Sequence, residues 1–517
     1  MMRAPALRLV LLLAAAAGRS LAVPPAKVPA PRRWGLRRAR SDGAAPRAPG
    51  RRRLLMLISD TGGGHRASAE AIGAMIEQLR PGQVEVSVVD IWTEYAPWTS
   101  FPYNRMVPIY RFLGRHSGAP LWRFVWRMMF WGSICWEHPW DWTMWWACGR
   151  RFTRCVREYD PDLVVSLHPC CQHCPLRAVR AVARERRRAQ PVPFATVCTD
   201  LDSAHPAWFH KRVDACFVAT VKLGRAAARR GVDARAVRTH GLPIRSEFLK
   251  PSYTSAEEAK GGAVPSVRPR SPGLLRSLGL RPHMKTVLVV GGGDGAGGLA
   301  AIVEKTAAEL ARACPGEGQV VVVCGKNKAL RQRLESKKGT WGDVHVELRG
   351  FTDRMSDLME AADCLVTKVR CRRDTAEMRP RCARDAAKMR PRSTRTDREG
   401  TRGARSPARA TRQAGPGTIA EAAIRGLPTV LSSYIPGQEY GNVQFVCENG
   451  FGEFASQPSQ VARTVASWLG DAPRLRKMRS AALAVGAPRA TRAIADDLLQ
   501  MLDAGFDGKP VSLPAQQ

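Results

Sequence analysis

Nowhere in the 517 residues is there a run of the roughly 18 to 20 apolar residues that a transmembrane helix requires. The nearest approach, Leu9-Val10-Leu11-Leu12-Leu13 followed by Ala14 to Ala17, is too short to span a bilayer. Any work on lipid is therefore expected from the membrane surface. Regular cysteine spacing is also missing, so the 14 cysteines make no disulfide scaffold. Cys170-Cys171-Gln172-His173-Cys174 crowds together the residue types of a zinc site. Four ligands commonly come as two separated pairs, and no second pair follows, which favours buried or free thiols over metal. No RNA- or DNA-binding module accompanies the net charge of +36. That charge is concentrated: residues 1–53 hold 13 Lys/Arg against the single Asp42, and residues 369–413 hold 15 against five acidic residues. The milder basic bias of the rest suits anionic lipid head groups or a nucleotide diphosphate, not nucleic acid.

The chain opens on an address. Arg3 and Arg8 flank the start of the apolar run, and Ser20-Leu21-Ala22 offers small residues for cleavage. Pro24 to Arg53, rich in Arg, Ala and Pro, has the composition of a transit peptide. A signal-like core followed by a transit-like stretch suggests two-step import, as in algae with secondary plastids. A plain transit peptide or simple secretion is the alternative.

From residue 54 the pattern is α/β. Leu54-Leu55-Met56-Leu57-Ile58 is a continuous apolar run of the kind found in buried parallel strands. A glycine turn, Thr61-Gly62-Gly63-Gly64-His65-Arg66, leads into a helix expected over Ala67 to Leu79. Further strands are expected at Val84 to Val89, Leu163 to Leu167, Phe194 to Cys198 and Ala215 to Val218. Residues 252–272, rich in Ser, Pro and Gly, look like a linker, and then the pattern restarts. Thr286 to Val290 precedes Gly291-Gly292-Gly293-Asp294-Gly295-Ala296-Gly297-Gly298 and a helix over Leu299 to Ala313. Val320 to Cys324, Asp363 to Thr367 and Pro428 to Leu431 complete the second series. The architecture expected is α/β with two Rossmann-like, doubly wound domains facing a central cleft. Glycines at such strand-to-helix turns let backbone approach a phosphate, or simply pack a tight turn. The first turn also carries a histidine where the helix dipole disfavours the imidazolium, leaving a neutral base near neutral pH.

The run Leu57-Ile58-Ser59-Asp60-Thr61-Gly62-Gly63-Gly64-His65-Arg66-Ala67-Ser68-Ala69-Glu70-Ala71-Ile72 resembles the opening of the plant and algal monogalactosyldiacylglycerol synthases. His168-Pro169, Gln172-His173, Thr199-Asp200-Leu201, His205-Pro206-x-Trp208-Phe209-His210 and Gly241-Leu242-Pro243-Ile244-Arg245 continue the resemblance. Cys324 to Lys328, Arg349-Gly350-Phe351, Ala414 to Ala422 and Gly437-Gln438-Glu439-x-Gly441-Asn442-Val443 carry it through the second half. The motifs run in order over about residues 54–490, except 369–413. The resemblance implies a GT-B fold of glycosyltransferase family 28. It implies inverting, metal-independent galactosyl transfer from UDP-galactose to 1,2-diacylglycerol, with no cofactor. The organisation implied is a presequence over 1–53, an acceptor and membrane domain over 54–250, a linker over 251–272, a UDP-sugar domain over 273–490 and a C-terminal helix and tail over 491–517.

Under that resemblance His65 is the expected general base for the acceptor hydroxyl. Gly415, Pro416, Gly417, Thr418, Ile419 and Arg245 are expected at the diphosphate. Glu421 suits the ribose, and Gly437, Gln438 and Glu439 the galactose. Gly325, Lys326, Asn327, Lys328 and Leu348 should flank the uracil. Pro102 is similar to a proline the family uses for anionic-lipid activation. The expected location is the plastid (chloroplast) envelope, peripheral, after presequence cleavage. Rival readings are a GT-B lipid glycosyltransferase using UDP-glucose or UDP-N-acetylglucosamine, and an inactive lipid- or nucleotide-binding homologue.

Two stretches stand apart from the resemblance. Eight of the 14 tryptophans, Trp122, Trp126 and Trp131 among them, lie between Leu121 and Trp146, with Arg123 and Arg127 beside them. Indoles favour the bilayer interface and arginines anionic phospholipid, so docking on an anionic membrane is expected, with core packing as the alternative. Val369 to Gln413 interrupt the strand-to-turn joint next to Gly415. Their removal leaves Thr-Lys-Ala-Gly-Pro-Gly-Thr without a seam. Valine codons begin GT and a glutamine codon can be CAG, so a retained intron is one origin and a surface loop the other.

Overall fold

The structure, a computed structural model, describes residues 50–61, 63–101, 103–109, 137–249, 271–291, 298–367, 415–434 and 439–506. The expectations for Pro102, Trp122, Trp126, Trp131, Gly437, Gln438, the presequence and the 369–413 insert lie outside the described residues. So does most of the second glycine run.

Two six-stranded sheets form, and every pair of neighbouring strands in them is parallel. The first comprises β1 (Arg52–Ile58), β2 (Val84–Asp90), β3 (Leu163–Ser166), β4 (Phe194–Val197), β5 (Ala215–Val218) and β6 (Val237–Thr239). Its order is β2-β1-β3-β4-β5-β6. The second comprises β7 (Lys285–Val290), β8 (Gly318–Val323), β9 (His345–Arg349), β10 (Cys364–Thr367), β11 (Thr429–Leu431) and β12 (Gly452–Phe454), in the order β12-β11-β10-β7-β8-β9. Each is a doubly wound Rossmann-like sheet, with strand order reversing beside β1 in the first and beside β7 in the second.

The apolar run of β1 works on both faces of its sheet. Leu54, Met56 and Ile58 pack with Ala69, Ile72 and Ile76 of helix α1 (Gly63–Leu79). Leu55 and Leu57 point the other way, into a cluster with Cys148, Phe152 and Val156 of α2 (Glu137–Tyr159) and Val179 of α3 (His173–Glu185). Side chains alternate along a strand, so continuous hydrophobicity is what a two-faced burial demands. Each such residue, fully buried, stabilises by about 1.5–3 kcal/mol. Helix α1 starts at Gly63, four residues before the expected Ala67, because the glycine turn itself supplies its first turn. The second sheet repeats the scheme with Val287 and Val289 on one face and Leu288 and Val290 on the other.

The two domains share one core cluster. Leu201, Leu242, Ile244 and Phe248 from the first half pack with Ile419 of α4 (Pro416–Ile424) and Val443 of α5 (Tyr440–Glu448). The chain then returns: Ile494, Leu498 and Met501 of α6 (Ala490–Phe506) bury against the first sheet. Arg80 pairs with Asp503 at 2.7 Å, and Thr491 Oγ1 exchanges hydrogen bonds with the Ile244 backbone at 2.9 Å.

Candidate active site

Three adjacent strands deliver the first half of the site. His65 sits in the opening turn of α1 after β1, His168 two residues beyond β3, and Thr199 two residues beyond β4. The carboxyl ends of β1 and β3 flank the reversal of strand order, where open α/β sheets leave a crevice. Thr199 Oγ1 lies 2.8 Å from His65 Nδ1. The His168 ring stands edge-on to His65 at 4.6 Å between centroids, and the Trp208 ring lies at 6.0 Å.

The two histidines are not equivalent. The Cys170 N–H donates to His168 Nδ1 at 3.1 Å, which leaves the proton on Nε2 to donate to Thr61 Oγ1 at 3.2 Å. Both nitrogens are thus engaged, and burial holds this imidazole well below its usual titration range. His65 is half-buried, and its pKa is pushed down to about 4. Burial is the main cause, opposed by the Leu167 carbonyl and the Asp60 carboxylate. A neutral imidazole at pH 7 has a lone pair to offer, and its low pKa limits the strength of that base.

The turn carrying His65 is held by charge. Arg66 grips Asp60 with Nη2 at 2.7 Å and Nε at 3.0 Å, and the Asp60 N–H donates to Asp90 Oδ2 at 3.2 Å. Next to Thr199, buried Asp200 accepts from Trp208 Nε1 at 2.7 Å. Burial pushes this carboxyl up to about 7; the Trp208 bond opposes the shift and the negative Glu439 adds to it. Asp200 and Glu439 belong to different domains and face each other closely enough to interact.

The second half of the site gathers around α4. Gly415 caps its start, and Pro416 occupies the first helical position, where a missing N–H does no harm. Gly415 and Gly417 face open space: an added Cβ would meet no atom within 4 Å at either. Thr418 is half-buried and Ile419 is in the core. One turn on, buried Glu421 accepts from Arg245 Nη2 at 3.2 Å. Its carboxyl is pushed up to about 7 by burial, against the pull of Arg245. Arg245 also pairs with Glu247 at 2.8 Å and lies over the Phe248 ring. Glu439, buried, stands at the N-cap position of α5, and the Gly441 N–H donates across the domain boundary to Ser203 Oγ at 3.1 Å.

The residues expected at a base have divided duties. Gly325 adopts φ +58°, a left-handed turn suited to glycine. Lys326 Nζ lies 5.9 Å from the exposed Phe351 ring. Asn327 Oδ1 instead accepts the Leu330 N–H at 3.0 Å, capping the helix that begins at Lys328. The Leu348 side chain is buried in the core, so only its backbone can meet a ligand.

His168, Thr199, Asp200, Ser203 and Trp208 were given no role by sequence reasoning. His168 follows β3 and the other four follow β4, and no spacing along the chain announces that they converge with His65. Cys170 is half-buried and Cys171 and Cys174 buried, all as free thiols packed in or against the first-domain core. Among the described residues no group of three or more His, Cys, Asp or Glu side chains could hold a metal.

The tryptophan stretch splits. Trp145 packs against the core with Arg177 over its ring at 4.6 Å. Trp142 and Trp146, one turn apart on α2, are 61% and 79% exposed. Tyr103 Oη lies 2.9 Å from Thr143 Oγ1, tying to this helix the loop that carries Trp98, 85% exposed, and Phe101. Arg105 and Arg150 are exposed beside these residues in sequence. No helix among the described residues is long and apolar enough to cross a membrane.

Comparison with known proteins adds the lineage. The profile described as Monogalactosyldiacylglycerol (MGDG) synthase matches residues 65–244, and Glycosyltransferase family 28 C-terminal domain matches 286–368. The chain is 34% identical over 457 residues to Monogalactosyldiacylglycerol synthase 1, chloroplastic, of Arabidopsis thaliana, covering 87% of this chain and 71% of that relative. It is 35% identical over 463 residues to the Spinacia oleracea Monogalactosyldiacylglycerol synthase, chloroplastic, covering 88% and 73%. Among solved structures it is similar to Acinetobacter baumannii MurG, with 13% identity, a TM-score of 0.47, and coverage of 86% of this chain and 98% of that one. With two Rossmann-like domains, a histidine-bearing glycine turn, and a third of its residues shared with these relatives over most of its length, the chain belongs to the monogalactosyldiacylglycerol synthase family.

Proposed function

We infer that this chain transfers galactose to diacylglycerol, making monogalactosyldiacylglycerol, the product for which its relatives are named. The donor we assign is UDP-galactose. The observation that carries the reading is the neutral His65 imidazole at the switch point of the first sheet, across the domain boundary from the open N-terminus of α4.

In the reaction, the diacylglycerol hydroxyl gives its proton to His65 as its oxygen attacks the anomeric carbon. The bond from that carbon to the UDP oxygen breaks, and its electron pair leaves on the diphosphate. Attack opposite the leaving group inverts the anomeric centre. The Gly415-Pro416-Gly417-Thr418-Ile419 turn offers the diphosphate the Gly417 N–H and the positive end of a helix dipole; Pro416 has no N–H, and the Thr418 N–H donates to the Gly415 carbonyl at 3.1 Å. Arg245, released from Glu421, adds a cation. Glu421 then takes the ribose hydroxyls, as its buried carboxylate needs polar partners. Glu439, with Gln438 and Gly437, is assigned to the galactose hydroxyls. Gly325 to Lys328, Leu348 backbone and the exposed Phe351 ring flank the uracil.

Full-length protein assayed on diacylglycerol with labelled UDP-galactose and UDP-glucose tests the donor. Galactose transfer should dominate and be lost in His65→Ala; equal or faster glucose transfer would overturn the donor assignment. For the membrane, the exposed Trp98, Phe101, Trp142 and Trp146 support docking on an anionic surface, with Arg150 and Arg105 alongside. Trp142→Ala/Trp146→Ala should weaken sedimentation with vesicles containing anionic phospholipid. Undiminished sedimentation would remove this face from the docking surface. We place the protein peripherally on the plastid envelope, consistent with the chloroplastic relatives.

A further inference from the structure

His65 must present a bare nitrogen to the acceptor hydroxyl if it is to act as a base. An imidazole has two tautomers, and which nitrogen is bare depends on the partner of the other. Two groups bear on the ring: Thr199 Oγ1, 2.8 Å from Nδ1 and the only side chain hydrogen-bonded to it among the described residues, and the Leu167 backbone carbonyl, which can only accept. His168 cannot take over that duty, since its own nitrogens are committed to Cys170 and Thr61. Nor does Asp60, whose carboxylate is clamped by Arg66.

We propose that Thr199 is a positioning residue for the transfer: its oxygen accepts the His65 Nδ1 proton and leaves the Nε2 lone pair for the acceptor hydroxyl. This rests on the assignment of His65 as base. The placement explains why a hydroxyl is used here and not a carboxylate. A carboxylate at Nδ1 would fix the same tautomer, but it would also raise the ring's pKa toward the imidazolium and bring a buried charge to the site. A threonine fixes ring rotation while adding no charge. Thr199 also begins the segment that runs through Asp200, close to Glu439, to Ser203, which caps α5 of the donor domain. Orientation of the base is thereby tied to the seating of the second domain.

The test uses the full chain and three variants, Thr199→Val, Thr199→Ser and His65→Asn. Ring 15N spectra, with His65 assigned by its loss in His65→Asn, should show Nδ1 protonated and Nε2 bare in the parent protein. Thr199→Val should shift the signal toward the opposite tautomer. It should also lower kcat roughly ten-fold or more while leaving KM for UDP-galactose within about two-fold. Thr199→Ser, which keeps the oxygen, should retain most of kcat. A bare Nδ1 in the parent protein overturns the proposal whatever the variants do. So does a Thr199→Val enzyme with parental kcat. Full activity in His65→Asn would instead refute the base assignment, and the spectra would still decide whether Thr199 sets the tautomer.

Discussion

Gly441→Ala bears most directly on how the two domains meet. A Cβ built at Gly441 would sit 2.4 Å from Ser203 Oγ, 2.5 Å from Ser203 N and 2.6 Å from Ser203 Cβ. Ordinary contacts begin near 3.5 Å, so α5 and the 199–203 segment must separate by about 1 Å. A hydroxyl alone would rotate aside, but the Ser203 backbone N cannot. The same shift breaks the Gly441 N–H bond to Ser203 and draws Glu439 away from Asp200. A misplacement of about 1 Å in catalytic geometry lowers activity roughly a hundredfold, equivalent to about 2.7 kcal/mol of transition-state stabilisation. The assay is kcat/KM for galactose transfer, alongside calorimetric binding of UDP alone. In the proposed arrangement UDP contacts the second domain and, from the first, Arg245 but not the Ser203–Gly441 contact, so its affinity should stay within a few-fold. Ser203→Ala, which removes one hydrogen bond and no space, should cost about 1 kcal/mol. Parental kcat/KM and melting temperature in Gly441→Ala would refute the idea that this contact sets the active geometry.

Removing the Arg245 guanidinium as Arg245→Met should weaken UDP binding roughly ten-fold and push the Glu421 carboxyl further up, since Arg245 is what opposes its burial; unchanged affinity by calorimetry would discount the diphosphate role. Burial holds His205 at about 4, against 6.5 for a free imidazole. The unfolded chain therefore gains protons first as pH falls, and stability from this group is lost between pH 6.5 and 4. Asp200 and Glu421, pushed up to about 7, act with the opposite sign over much of that window. The contribution is isolated by comparing melting temperatures of His205→Asn and the parent at pH 7 and pH 4; the parent should lose more, and equal losses would contradict the burial argument. Deleting 369–413 should leave UDP binding and transfer at least equal to the full chain, and the family 28 match does end at residue 368. A drop on deletion, or a mature transcript carrying the segment, would mark it as a genuine part of the protein.

Local pattern decided a great deal. The apolar runs at Leu54 to Ile58 and Thr286 to Val290 specify two-faced burial, the glycine turn before α1 specifies a strand-to-helix joint, and the ordered motifs specify the family. The interior strands were legible because both of their faces are apolar. β6, β9 and β12 were not, and all three are edge strands with mixed burial along their length. Whether a short half-polar segment pairs depends on the neighbour it finds, which no window of sequence contains. The return of α6 to cover the first sheet is of the same kind, since its partners lie some 400 residues away. Within the site, His65 was readable from its turn, but its partners were not. Thr199, His168 and Trp208 reach it because parallel crossovers bring successive loops to one end of a sheet. Tertiary contacts also reassigned residues that looked alike in sequence: Asn327 became a helix cap, Trp145 went to the core, and Trp142 and Trp146 stayed outside. Sequence fixes which residues can bury or turn; the packing of distant segments decides which of them meet.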